Sequence, residues 1–275
     1  MKNILLVARK EIQEGLRNRW VLATTLLLAA LALTLTFLGS APTGNVGAGT
    51  LDVMVVSLSS LTIFLVPLIA LLISHDAIVG EMERGTMLLL LSYPIARWQV
   101  IIGKFVGHLA ILSFATLLGY GAAAAALAVT GTAIDAASWA AFLSMVLSSI
   151  MLGAVFISIG YLISALVAER GTAGGIAIGV WLFCVLIYDM ALLGLLVVDE
   201  GHVIGSGLLS VLLLANPTDA YRLLNLGSES VAALSGMGGI AENAALGTST
   251  LLVALLVWTL APLLAATMVF SRREL

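Results

Sequence analysis

His75–Lys104, HDAIVGEMERGTMLLLLSYPIARWQVIIGK, is the stretch on which the reading of the whole chain turns. It holds an acidic, Gly-rich turn (Gly80, Glu81, Glu83, Arg84, Gly85, Thr86), an apolar run from Met87 to Leu91, a stop at Pro94, and Arg97 and Lys104 at its end. Such a segment carries too much charge to lie in hydrocarbon and too much apolar surface to stand bare in water. It therefore needs a partner. Long apolar runs flank it on both sides, so it is expected at one face of a membrane, held there by a bundle of spans.

The composition supports that frame. The 275 residues are 61% hydrophobic and 10% charged, with a mean hydropathy of +1.15, whereas an average soluble domain carries about 25% charged residues. A soluble core cannot use that much apolar surface, and the chain reads as an all-α polytopic membrane protein among membrane lipids. The formal net charge of -3 and the confinement of charge to the segments between spans argue against a nucleic-acid partner. The single Cys184 excludes a disulfide within the chain and a Cys-based zinc site.

From the central stretch the spans follow outward. Met1 to Arg19 sets Leu5, Ala8, Ile12 and Leu16 at spacings of three and four between charged residues, the pattern of an amphipathic helix lying in the interface. Trp20 closes it as an aromatic anchor, and the apolar stretch behind it is longer than a signal-peptide core, so no cleavage is expected. Spans are expected at about 20–39, 53–74, 105–130, 139–168, 172–198 and 249–270, with 75–104 as a loop on one face and 199–248 as the longest segment on the other. Within that last segment the apolar run Leu208 to Pro217 is too short to cross and reads as re-entrant or interfacial. Gly171, Gly175 and Gly179 recur every four residues on one face of the fifth span, a stripe that permits close helix approach inside the bundle or between two copies. With these spans, eleven of the 12 Lys and Arg residues fall on one side and only Arg222 on the other. The positive-inside rule then makes both termini and the 75–104 loop cytoplasmic.

A search for chemistry finds little. There is no Walker motif, no H-E-x-x-H and no G-x-S-x-G, so neither ATP cradling nor the commonest hydrolase chemistry is expected, and no catalytic or metal-binding residue is assigned. Asp189 in the fifth span has no second acid in another span to make a protease dyad, and reads as a solvated or hydrogen-bonded acid towards the outer interface. His75, His108 and His202 lie in separate segments, and the nine methionines form no M-x-x-M pattern, so they read as packing residues. No row of charges lines any span, which disfavours an ion channel.

At this point the central stretch points to a family. Gly80-Glu81, Glu83-x-Gly85-Thr86, Leu89-Leu90-Leu91, Tyr93-Pro94, Arg97 and Gly103-Lys104 resemble the first cytoplasmic loop of ABC-2 type permeases, the six-span membrane subunits of ABC transporters. The resemblance spans essentially the whole chain. It implies a homodimer in the bacterial inner membrane, a cytoplasmic ATPase subunit holding ATP and Mg, no cofactor in this chain, and a coupling helix built around Gly80, Glu81, Glu83, Arg84, Gly85 and Thr86. Four blocks in the first 110 residues, Ala8-Arg9-Lys10-Glu11, Gly15 to Trp20, Asp76 to Glu81 and Gly103 to His108, are similar to the branch of that family that supports assembly of the copper centre of nitrous oxide reductase. That branch implies a periplasmic β-helix partner that binds copper, met by the outer segment through Asp199, Glu200, Asp219 and Arg222. Two other readings stay open: an exporter of a lipid, drug or other small hydrophobic compound, and a membrane scaffold that transports nothing.

Overall fold

The computed structural model describes residues 2–17, 23, 26–27, 29–34, 50–129, 136–199, 205–226 and 246–273. Every regular element among them is helical. Five stretches are long and apolar enough to cross a bilayer: Val53–Glu83, Arg97–Val129, Ala136–Leu166, Arg170–Val198 and Thr248–Arg272. Most of the expected first span, Trp20 to Gly39, lies outside the described residues, as do 130–135 and 227–245.

The bundle is organised around α6 (Ala136–Leu166), whose apolar window is 67% buried. It packs against α2 (Thr50–Ser74), α5 (Arg97–Val129) and α11 (Thr248–Arg272). Its serines make this possible in an apolar interior, because each can return its hydroxyl to the preceding turn. Ser149 donates to the Met145 carbonyl at 2.6 Å and Ser158 to that of Ala154 at 2.9 Å, so small side chains allow close approach without unmet polar groups.

Helix α5 begins at Arg97, so Arg97 to Lys104 belongs to a helix and not to the loop expected up to Lys104. Along that first part lies α1 (Lys2–Arg17), seated on glycines. A Cβ at Gly103 would stand 2.7 Å from Val7 Cβ and 3.0 Å from the Ile4 carbonyl, and one at Gly107 would stand 2.6 Å from Glu11 Cβ. The expected apolar face of α1 is therefore divided. Ala8 turns to α5 with Val7 and Glu11, while Leu5, Leu6 and Leu16 stay exposed on the side an interfacial helix would lay on lipid.

The fifth span is built from α7 (Arg170–Leu182), a π-turn at Phe183–Ile187 and α8 (Tyr188–Asp199). Tyr188 N–H bonds to the Phe183 carbonyl five residues back. The Cys184 carbonyl, which an α-turn would pair with Tyr188, accepts Asn216 Nδ2 at 2.8 Å and Thr218 Oγ1 at 3.0 Å. Those two residues belong to the turn between α9 (Ser206–Leu214) and α10 (Pro217–Leu226) and to the first turn of α10. Helix α10 packs on α2, α6 and α11. It is thus inserted into the bundle, within the segment where the sequence suggested a re-entrant or interfacial helix over Leu208 to Pro217.

Candidate functional site

The near end of the bundle, where α2 and α6 finish and α5 and α7 start, carries the segment that opened the sequence reading. After α2 the chain turns through residues 75–78 into α3 (Val79–Glu83), and Ser164 of α6 fixes that entry by accepting the N–H groups of Ile78 and Val79, each at 3.0 Å. Gly85 then takes a left-handed backbone, φ 70°, which a side chain would make costly by about 1 kcal/mol. The reversal starts α4 (Thr86–Leu91) in a new direction. One side of α4 is rooted and the other is bare: Met87 is 1% exposed, whereas Leu88 is 57% and Leu89 68% exposed.

Beneath this handle lies a buried ion cluster. Lys104 of α5, 2% exposed, donates to Glu11 of α1 at 2.7 Å and to Glu81 of α3 at 2.9 Å. Lys10 donates to the same Glu81 oxygen at 3.1 Å. His108 Nε2 stands 3.4 Å from the second oxygen of Glu11, and its Nδ1 is 2.9 Å from the Tyr161 hydroxyl of α6. Four helices meet at two carboxylates and two ammonium groups, which cancel formally. Burial alone would raise the Glu11 carboxyl, but the His108 contact and the Lys104 ammonium overcome it and hold it near 2, down from 4.5. Burial likewise works against the Lys10 ammonium, and the carboxylates of Glu81 and Glu11 outweigh it, leaving Lys10 above its ordinary value.

Two further ties fasten the handle. Glu83 accepts the backbone N–H of Arg170 at 2.6 Å, at the start of α7, and Arg170 pairs with Asp76 at 2.9 Å. Arg97 donates to the carbonyls of Phe270, Ser271 and Arg273 at 3.1, 3.2 and 2.6 Å, closing the C-terminal end of α11. Any displacement of α3 and α4 therefore meets α1, α5, α6 and α7 at hydrogen-bonded contacts.

Comparison with known proteins gives this arrangement a context. Residues 5–275 match the ABC-2 family transporter protein family. The chain belongs to the ABC-2 family of transporters. It is also 46% identical over 270 residues, 98% of each chain, to a protein of Pseudomonas aeruginosa described as a probable ABC transporter permease protein NosY. A protein of Stutzerimonas stutzeri with the same description is 45% identical over 276 residues, 99% of each chain. As an ABC-2 permease the chain is a non-catalytic membrane subunit, and ATP hydrolysis belongs to a separate subunit.

Within the permease, the residues singled out in the sequence divide sharply. Glu81, expected to meet basic groups on a partner, is 6% exposed and turned inward onto Lys10 and Lys104. Glu83, Arg84, Gly85 and Thr86 are exposed. Gly171, Gly175 and Gly179 meet nothing within 4 Å, and the window of their span is only 11% buried, so among the described residues the stripe has no internal packing role. Glu200 and the Asp199 side chain lie outside the described residues.

Asp219 and Arg222 sit inside the bundle and not on an outer face. Asp219 is 2% exposed. Arg222 joins it at 2.7 Å and also pairs with Asp189, so the intramembrane acid noticed in the sequence is held by α10. The structure adds Lys10, Glu11, Lys104 and His108 to the near-end site. In the sequence they stood inside the Ala8 to Glu11 and Gly103 to His108 blocks, with Lys104 as the last charge of the central stretch, and no local pattern brought them together. Among the described residues no group of three or more His, Cys, Asp or Glu is placed to hold a metal.

Proposed function

We propose that this chain is the NosY-like permease of an ABC transporter that serves maturation of nitrous oxide reductase. Two copies pair in the bacterial inner membrane with both termini in the cytoplasm, a NosF-like ATPase docks from the cytoplasm, and a NosD-like, copper-binding β-helix protein meets the outer face. The observation that carries this reading is the 45–46% identity, over nearly the full length, to two proteins described as NosY permeases.

Physically, the handle suits the role. The exposed faces of Leu88 and Leu89, next to Glu83, Arg84 and Thr86, offer an apolar knob with a polar collar to an ATPase groove. Closure of the ATPase pair pulls on α3 and α4, and the ion cluster passes that motion to α1, α5 and α6 as a shift between two packed arrangements. Glu81 acts here as the root of the handle, and Glu83 to Leu89 as its gripping surface.

Affinity purification of the native complex tests this. A protein bearing Walker motifs is expected to co-purify, and the double variant Leu88→Lys, Leu89→Lys is expected to lose it while keeping the thermal midpoint of the permease. Retention of the ATPase by that variant overturns the assignment of the docking surface. Recovery without any ATPase or periplasmic repeat protein overturns the function.

A further inference from the structure

We propose that Asp189 and Asp219, bridged by Arg222, together bind one proton at neutral pH, which makes the joint between α8 and α10 a proton site. The sequence offered Asp189 no second acid in another span, and the insertion of α10 supplies one. Arg222 Nη1 donates to Asp219 at 2.7 Å, and its Nη2 pairs with Asp189. The terminal nitrogens of a guanidinium lie side by side, so the two carboxyl groups they hold are neighbours. This goes beyond the transporter role and does not rest on it, because all three residues belong to one chain.

The charges at this joint do not cancel. Two carboxylates share one guanidinium, which leaves one negative charge in excess. The side chains of Asp219, Asp189 and Arg222 are 3%, 17% and 20% exposed, so water screens little of it. Among the described residues, the elements packed on α10 bring no second base. Helices α6 and α9 contain no charged residue, and α11 contains only Arg272, in its last turn at the near end. Helix α2 contains only Asp52, whose side chain lies outside the described residues. Cys184 and Tyr188 stand close enough to Asp219 to feel its charge, and Tyr221 lies on the same helix. Thiols and phenols are ordinarily uncharged at pH 7 and leave the count unchanged.

The free valence suits a proton. Asp219 accepts Arg222 on Oδ1 and Asn216 Nδ2, at 3.1 Å, on Oδ2. Asp189 accepts Arg222 on Oδ2, whereas its buried Oδ1 has no hydrogen-bond partner among the described residues. A hard metal ion takes about six oxygen ligands or more, and no group of three or more His, Cys, Asp or Glu is placed to hold one among the described residues. A proton needs one oxygen and no cavity. Neighbouring carboxyl groups out of water do not both ionise, and the proton they keep belongs to the pair and not to either acid. Movement of α10 away from α8 separates the two acids, so it is linked to release of that proton.

Infrared spectroscopy of the full-length permease in lipid nanodiscs tests this, because a protonated carboxyl has a carbonyl stretch distinct from that of a carboxylate. One such carboxyl per chain is expected at pH 7, moved by carbon-13 labelling of aspartate carboxyls. Asp189→Asn and Asp219→Asn are each expected to abolish it, since either leaves one acid against Arg222. The folded pair holds more protons than the unfolded chain, so its contribution to stability falls as the pH rises. Between pH 6 and 9 the thermal midpoint of the wild type is expected to decline more than that of either Asn variant. Absence of the band from the wild type, or a band unmoved by the aspartate label, overturns the proposal even if a variant fails to fold. Survival of the band in a folded Asn variant, or an equal decline of all three midpoints, overturns it as well. Loss of the wild-type band when sodium replaces choline at constant pH overturns the proton in favour of a metal cation.

Discussion

At the scale of single residues, Lys104 is the most consequential side chain on the near end. It is the shared donor of Glu11 and Glu81, and its removal takes the nearest ammonium from two buried carboxylates, leaving Lys10 3.1 Å from Glu81 and 3.8 Å from Glu11. Breaking a buried pair from one side costs about 3–5 kcal/mol, so Lys104→Met is expected to lower the thermal midpoint of the purified permease markedly, and Lys104→Arg much less. Glu11 adds a dependence on pH. Its carboxyl is depressed in the folded state, so its contribution is fully present above about 4.5 and is lost as the pH falls towards 2. Thermal midpoints of the wild type measured from pH 7 down to 3 are expected to decline more steeply than those of Glu11→Gln, which starts lower at pH 7 but lacks that titration.

Among helices and turns, the fate of α10 shows what local pattern could and could not reveal. The run before Pro217 was legible as too short to span. That α10 would enter the bundle was not, because its anchor is a carbonyl of Cys184 some thirty residues away, opened by a π-turn that no periodicity announces. Replacing Asn216 by Ala and Thr218 by Val together removes both donors to that carbonyl. The expected loss is about 1–3 kcal/mol, together with faster amide exchange in α10 than in α6. Unchanged exchange would mean that α10 is held by its apolar contacts alone. The handle behaves similarly. Its acidic, Gly-bearing turn and its apolar run were visible in order, but which acid faced in and which faced out depended on Lys104, twenty-three residues further along and on another helix.

For the molecule as a whole, burial is uneven, and that carries a prediction about assembly. The Arg170–Val198 window is 11% buried and that of Thr248–Arg272 is 22%, against 67% for α6. A face with Gly171, Gly175 and Gly179 open on it is shaped for close approach to another helix. If two copies pair through α7, Gly175→Cys in a Cys184→Ser background is expected to give a disulfide-linked dimer under mild oxidation in native membranes. A matching substitution at Leu256, exposed on α11, is expected to remain monomeric. Monomer alone from Gly175→Cys would overturn pairing of two copies through this face.

By itself the amino-acid sequence determined the solvent and the helical class, and it singled out one segment of mixed character between apolar runs. Each follows from local quantities: apolar runs long enough to cross hydrocarbon, an imbalance of basic residues between loops, and one segment with mixed character. Tertiary structure alone decided the partners. Glu81 became a root through Lys10 and Lys104, Asp219 and Arg222 became interior groups through Asp189, and the glycine stripe was left uncovered. These outcomes rest on pairings between distant parts of the chain, where a charge removed from water settles against whichever counter-charge the packing of the helices brings within reach.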